Sequence, residues 1–276
     1  MIVFDDNCSR AASIPVSHNH AGFPEGITGP DLLDRMRTQA ANYGVEFCNR
    51  RVTALTKDAE AFIVSSERAD DARARFVLLA TGVTNNRPPM PSASHDEAVS
   101  RGLIRYCPVC DGFEITDKPV GIFGRGSKAF QEVLFLRSYT QDVTLIFPDA
   151  DHGLEEKQLS RLAELDIPTV RGPLTSIDLH DAAIEVNTRT GTYSFASVYP
   201  ALGSTIHSDL AVGMGADVTS EGCVVVDSHQ RTSVTGLYAA GDVVLGLDQI
   251  SNAMGQAGVA ATAMRNDLYA IHALVR

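Results

Sequence analysis

Basic charge is scarce in this 276-residue sequence: 23 Lys and Arg stand against 34 Asp and Glu, a formal net charge of −11 at pH 7. A surface that tracks nucleic-acid phosphates or an anionic membrane needs the opposite balance, so neither kind of partner is expected. Long apolar runs are missing too. No stretch reaches the roughly 20 residues of a membrane span. The start, MIVFDDNCSR, turns acidic at Asp5 and Asp6, too early for a secretory core or an anchor. Cysteines number five, an odd count in a chain without an export signal, which argues against a disulfide framework and for a reducing cytoplasm. What is present, 44% hydrophobic and 21% charged residues, is the composition of a soluble globular protein long enough for one large domain or two ordinary ones.

Along the chain, strand and helix patterns alternate. Residues 2–4 read as a short buried strand ending at Asp5 and Asp6, and a polar loop then runs to Gly29. Residues 30–44 repeat apolar side chains at helical spacing, with Gly44 as C-cap. Strands are expected over 45–49, 51–57, 60–67 and 74–82, the last a continuous apolar run suited to a sheet covered on both faces, and 87–91 reads as a loop. A βαβ unit follows: strand 119–123, a glycine turn, helix 128–139 and strand 142–147. Helix 155–164 and antiparallel strands over 175–181, 182–188 and 192–200 come next. Val198 to Gly203 echoes Val77 to Gly82, an apolar strand running into a small-residue turn, which points to two related modules with the second inserted in the first. Residues 223–244 read as strand, turn and strand, and 251–274 as a helix.

Two motifs carry chemistry. Gly124-Arg-Gly126-Ser-Lys-Ala129 is a G-x-G-x-x-A placed after a strand and opening a helix. Its glycines let backbone approach a pyrophosphate and the helix start offers free N–H groups, so it reads as a dinucleotide cradle, with a plain strand-to-helix turn as the alternative. The unit's second strand ends near Asp149, either an acceptor for a ribose 2′-hydroxyl or simply the start of a turn after Pro148. No Lys or Arg lies between Ser138 and Glu156, so His152 is expected to be the only potentially cationic side chain near Asp149.

The second motif is Cys107-Pro-Val-Cys110-Asp111. A thiolate held beside a second cysteine can form a small-ring disulfide, and an adjacent carboxyl can carry the proton that exchange releases or consumes. A half zinc site and two inert core cysteines are the alternatives. With no second C-x-x-C or C-x-H group in the chain, no metal is expected.

Together these residues resemble a known family. Tyr106-Cys-Pro-Val-Cys-Asp-Gly-Phe113, then Gly124-x-Gly126-x-x-Ala129 with Glu132, then Thr235-Gly-Leu-Tyr-Ala-Ala-Gly241-Asp242 and Gln249 before an Ala/Gly-rich helix, are similar to the low-molecular-weight thioredoxin reductases in order and spacing. Ala80-Thr81-Gly82 and Asn19 look like further flavin-domain positions. The resemblance implies an α/β fold of two Rossmann-like dinucleotide-binding domains, the NAD(P) domain inserted into the FAD domain: residues 1–105 and 232–276 for FAD, 106–231 for NAD(P)H and the redox pair. It implies a homodimer that passes electrons from NAD(P)H through FAD to Cys107 and Cys110, and on to a thioredoxin-like protein or a small disulfide. Cys110 would face the flavin, Cys107 would attack the substrate disulfide and Asp111 would be the general acid. Asp5, Asn19, Ala80, Thr81, Gly82, Gly241, Asp242 and Gln249 would contact FAD, with Asp242 on the ribityl chain. Gly124, Gly126, Ala129 and Asp149 would contact the nicotinamide dinucleotide.

The sequence departs from the family in three places. The family opens with a strand, a glycine turn and a helix, roughly thirty residues, for the FAD pyrophosphate, and this chain begins at what looks like the second strand. The family's cationic NADPH cluster is replaced by Phe147-Pro148-Asp149, so NADH is expected to be favoured over NADPH. Asp248 stands where an arginine usually precedes the glutamine. Alternatives to the reductase are a dithiol oxidase, a ferredoxin-dependent reductase that does without nicotinamide, and a truncated, non-catalytic dinucleotide-binding protein.

Overall fold

The computed structural model describes residues 1–59, 61–67 and 71–271. Residue 60 of the expected strand 60–67 and residues 272–274 of the expected last helix lie outside the described residues. The strands are β1 (Ile2–Asp5), β2 (Glu46–Asn49), β3 (Val52–Lys57), β4 (Phe62–Ser66), β5 (Ala72–Ala74), β6 (Val77–Leu79), β7 (Val83–Asn85), β8 (Val120–Gly124), β9 (Val143–Phe147), β10 (Thr169–Arg171), β11 (Leu174–Leu179), β12 (Ile184–Thr188), β13 (Gly191–Phe195), β14 (Ser197–Ala201), β15 (Ser204–Ile206) and β16 (Leu237–Ala239). The helices are α1 (Gly29–Asn42), α2 (Ser92–Ser100), α3 (Pro108–Asp111), α4 (Gly126–Leu136), α5 (Glu156–Glu164), α6 (Asp209–Gly213) and α7 (Ile250–Ile271). No helix among the described residues is long and apolar enough to cross a membrane.

The chain forms two compact units. Unit 1 holds residues 1–12, 30–84 and 205 onward; unit 2 holds 13–29 and 85–204. The changeovers at 84/85 and 204/205 lie upstream of the expected domain limits at 105/106 and 231/232. The reason for the first is local: α2 and the turn after it pack Ala98, Leu103 and Ile104 onto the core of unit 2, and Ile104 bridges to Val198.

Unit 2 is built on one parallel sheet in the order β10-β9-β8-β14. Every residue of β8, β9 and β14 is buried, as expected of apolar strands covered on both faces. The pleat sorts them. Val120 and Ile122 join Ala129, Val133 and Leu136 of α4 and Leu162 of α5 in one core. Phe123 and Ile146 face Ile184, Val186 and Phe195 of the antiparallel sheet β11-β12-β13 in another. The single strand expected over 192–200 is thus two: β13 closes the antiparallel sheet, and after Ala196 the chain enters the parallel sheet as β14.

In unit 1 the parallel strands form two separate pairs, β1 with β2 and β16 with β6. The expected strand 74–82 divides, because β5 belongs to the antiparallel sheet β3-β4-β5 while β6 pairs with β16. Phe62, Leu79, Leu237 and Val243 sit in the core between them. Of the strand, turn and strand expected over 223–244, the first strand is reduced to isolated bridges at Val224.

Candidate functional site

The cysteine pair sits where a loop tightens into one helical turn. Cys107 precedes α3 in an extended conformation, and Pro108 occupies the first helical position, where its fixed φ suits the helix and its missing N–H costs nothing. The Cys107 carbonyl accepts the N–H groups of Cys110 at 2.8 Å and Asp111 at 3.2 Å. This turn sets the two Cα atoms 5.2 Å apart, and the sulfurs are bonded. Both cysteines are half-buried. Val109 and Phe113 beside them are 53% and 81% exposed, so the redox turn presents apolar surface at its rim.

Asp111, also expected at the site, is held by a group at each of its two oxygens. Tyr199 of β14 donates its hydroxyl to Asp111 Oδ1 at 2.7 Å. Arg105 Nη1 lies 3.2 Å from Asp111 Oδ2 and 2.7 Å from Glu114 Oε2. Glu114 Oε1 in turn meets His18 Nδ1 at 2.8 Å. Arg105 is itself anchored, its backbone N–H to the Val198 carbonyl at 3.0 Å and its Nε–H to the Gly102 carbonyl at 3.1 Å. Burial pushes the Asp111 carboxyl up, against the pull of Tyr199 and Arg105, and the Glu114 charge adds to the rise. Burial also acts upward on Glu114, but its bonds from His18 and Arg105 prevail and lower it. Burial and the nearby Asp111 charge drive the Tyr199 phenol up, so it stays a neutral donor. Tyr199, Glu114 and His18 were not foreseen, since they lie far from the motif or carry no spacing signal.

The glycine turn lies at the carboxyl ends of the same parallel sheet. A Cβ on Gly124 would stand 2.6 Å from the Ala201 carbonyl oxygen, and Gly126 has φ +65°, so both positions demand glycine. Ala129 is buried in α4 behind the turn. Arg125, Lys128, Pro148, Asp149, Ala201, Leu202 and Gly203 line a cavity of about 460 Å³ there, the position where open α/β sheets bind dinucleotides. Arg125 and Lys128 share the cavity with Asp149, so His152 is not the only cationic candidate near that acid. His152 instead packs on Phe147, and its Nδ1 accepts the Leu154 N–H at 3.0 Å. Asp149 Oδ1 accepts the Asp151 N–H at 2.9 Å, so it also shapes the turn.

Further along α4, the Oε2 atom of Glu132 is buried without a hydrogen-bond partner, and burial pushes its carboxyl up to about 7. The glycine positions and this orphaned acid fit a nicotinamide dinucleotide.

In unit 1, Asp5 ends β1 with Oδ2 at 2.8 Å from Arg37 and Oδ1 accepting the Asn7 N–H at 2.9 Å. Ala80, Thr81 and Gly82 follow β6; Gly82 has φ +62° and the Thr81 hydroxyl donates to the His207 carbonyl at 2.6 Å. Gly241 and Asp242 follow β16. Gly241 donates its N–H to Gln256 Oε1 at 2.7 Å, and Arg10 lies 3.0 Å from Asp242 and 2.9 Å from Asp248. Burial and the Asp248 charge raise Asp242, while Arg10 holds it down. Gln249 leads into α7, where its carbonyl accepts the Ala253 N–H. Asn19 belongs to unit 2, its Oδ1 accepting the Ser17 hydroxyl at 3.0 Å. For a flavin dinucleotide these residues fit the ribose and ribityl ends. Among the described residues of unit 1, no glycine turn between strand and helix is present for its pyrophosphate.

A family model described as pyridine nucleotide-disulphide oxidoreductase matches residues 8–257. The thioredoxin reductase of Streptomyces clavuligerus is 30% identical over 241 residues, covering 82% of this chain and 72% of that protein. That of Streptomyces coelicolor is 29% identical over 240 residues with the same coverage. The solved thioredoxin reductase from Streptococcus pyogenes superposes with a TM-score of 0.86 at 24% identity, over 98% of this chain and 90% of that one, a likeness of fold.

Proposed function

Since the chain belongs to the pyridine nucleotide-disulphide oxidoreductase family, among its low-molecular-weight thioredoxin reductases, we propose that it is a flavin-dependent disulfide oxidoreductase acting through Cys107 and Cys110. The observation that carries this reading is the bonded pair with Asp111 beside it, tied by Tyr199 to the sheet that carries the glycine-turn cavity. The nicotinamide domain, expected over 106–231, corresponds to unit 2, and the flavin domain to unit 1. A bound flavin supplies the two-electron relay between nicotinamide and disulfide. Asp5, Asn19, Ala80, Thr81, Gly82, Gly241, Asp242 and Gln249 would hold it, Asp242 by the ribityl chain, and Cys110 would be the sulfur that receives its electrons.

In the dithiol state the Cys107 thiolate attacks a substrate disulfide. One S–S bond forms as the substrate's breaks, and Asp111 gives its proton to the leaving sulfur. Cys110 then attacks Cys107, restoring the 107–110 disulfide, and its proton passes through Asp111 to the second product thiol. The substrate is a thioredoxin-like protein or a small disulfide. The enzyme works as a homodimer, for which α7 offers the exposed apolar residues Met254, Val259, Tyr269 and Ile271. It works in a reducing cytoplasm, in keeping with the free Cys8, Cys48 and Cys223.

Gly124, Gly126 and Ala129 form the nicotinamide dinucleotide's cradle, and Arg125 and Lys128, on the glycine turn and the first turn of α4, face its pyrophosphate. Asp149, at the end of β9, accepts from the ribose 2′-hydroxyl and repels a 2′-phosphate. NADH is therefore preferred over NADPH by about tenfold, the lower end of what one like-charge contact brings in a screened site. Anaerobic stopped-flow mixing of the flavin-loaded protein with each nucleotide and a disulfide tests both levels of the reading. Disulfide reduction with NADH faster than NADPH is expected. Equal rates, or a faster NADPH, overturn the preference; no disulfide reduction with either overturns the reductase.

A further inference from the structure

Asp111 and Glu114 are two carboxylates that share one guanidinium. Arg105 Nη1 is nearer to Glu114, at 2.7 Å, than to Asp111, at 3.2 Å. One positive charge cannot fully offset both acids, so one of them can take a proton at little cost. Glu114 has a second partner in His18, whose side chain is 51% exposed, so Glu114 is the acid that stays ionised and Asp111 the one left to carry the proton. Tyr199 acts the other way. Its ring is fully buried in β14, and its hydroxyl donates to Asp111 Oδ1, which favours the carboxylate form.

We propose that Tyr199 and Glu114 are positioning residues that set Asp111 as the proton carrier of the dithiol: Tyr199 holds its carboxylate form, and Glu114 releases it to be protonated by drawing Arg105 away. The inference rests on the reading of Asp111 as the general acid. The other charged or titratable groups around this point are few. Lys118 bonds the Glu114 carbonyl at 2.8 Å, Tyr139 packs over Gly112, and Lys128 and Glu132 of α4 make no pair with Asp111. In the reduced protein the two cysteine thiols join them.

The two residues act with opposite sign, which general damage to the fold does not imitate. The experiment uses full-length protein with its dithiol reduced and the reductant removed, mixed anaerobically with hydroxyethyl disulfide across the neutral and alkaline range. The readout is the pH at which the rate falls because the general acid has lost its proton. Tyr199→Phe removes a bond to the carboxylate and is expected to move that limb up by about one pH unit. Glu114→Gln returns Arg105 to Asp111 and is expected to move it down by about one unit. With an aromatic nitrobenzoate disulfide, whose leaving thiolate needs no proton, neither variant shifts its profile.

Asp111→Asn separates the two ideas. If it removes the limb while Tyr199→Phe and Glu114→Gln leave the limb at the parent position, the positioning role is wrong and the general acid stands. If Asp111→Asn keeps the parent's limb, Asp111 is not the acid and the inference falls with that reading. Glu114 is only half-buried, so Glu114→Gln still decides the matter if Tyr199→Phe does not fold.

Discussion

The two units handle parallel strands differently. In unit 2 four parallel strands bond in one sheet, with helices on one face and an antiparallel sheet on the other, and the glycine turn sits on its central strand β8. In unit 1 the parallel strands remain as two pairs, and Ile2 of β1 is 46% exposed where Val120 and Ile122 of β8 are fully buried. A parallel strand is stable when both faces are covered, so unit 2 carries its own core and presents its site from a rigid edge. Unit 1 draws its order from the antiparallel sheet β3-β4-β5 and from the core that Phe62, Leu79, Leu237 and Val243 form beside it, with partly exposed ion pairs such as Asp5 with Arg37 and Asp242 with Arg10 adding little. The dithiol chemistry is thus lodged in the better-buried unit.

The sharpest break in that comparison comes from the sulfurs. Exchange needs both cysteines, so Cys107→Ser and Cys110→Ser are each expected to abolish disulfide turnover, while the flavin absorbance of the loaded protein is expected to remain. Measured turnover and flavin absorbance check the two halves together. Appreciable turnover in either variant refutes the pair's role, and lost flavin would show that the cysteines also serve to hold it.

How far the sequence went follows the same division. The redox turn and the glycine turn were legible because each is set by residues within one short stretch: Pro108 at the start of α3, and Gly124 and Gly126 where a Cβ or a negative φ does not fit. The Tyr199 bond to Asp111 spans 88 residues and comes from a hydroxyl on a strand that reads as plain core. Arg125 and Lys128 line one cavity with Asp149 only because β8 and β9 are neighbours in the sheet, which no local spacing announces. Helix α2 was missed because its sequence, SASHDEAVS, lacks apolar periodicity; it buries His95 and Ala98, with His95 held between Asp96 at 3.0 Å and the Tyr106 hydroxyl at 2.7 Å.

The difference in core quality is measurable by truncation. Ile122→Ala removes a fully buried side chain from a core closed by α4, and is expected to cost about 2–5 kcal/mol. Ile2→Ala, at a half-exposed position, is expected to cost under about 1 kcal/mol. Denaturant unfolding of the two variants gives the ratio directly. Equal losses would show that β1 is as well packed as β8, and the contrast between the units would fail.

A smaller effect sits inside unit 2, on the face of α4 that carries Glu132. Its carboxyl is raised from 4.5 to about 7, chiefly by burial, with Lys128 drawing it partly back. The folded state therefore holds a proton that the unfolded chain has released between about pH 4.5 and 7. Stability falls as pH rises through that window, and above it the full penalty of a buried carboxylate is present. Glu132→Gln removes the titration. Without nucleotide, the variant's advantage over the parent is expected to grow from its value near pH 4.5 by about 1–3 kcal/mol on reaching mildly alkaline solution, a constant offset from the amide aside. Unfolding curves at several pH values read the slope. Parallel stability profiles for parent and variant would mean that the Glu132 carboxylate is solvated after all, and that this face of unit 2 is less closed than its neighbours Val133 and Ala129 make it.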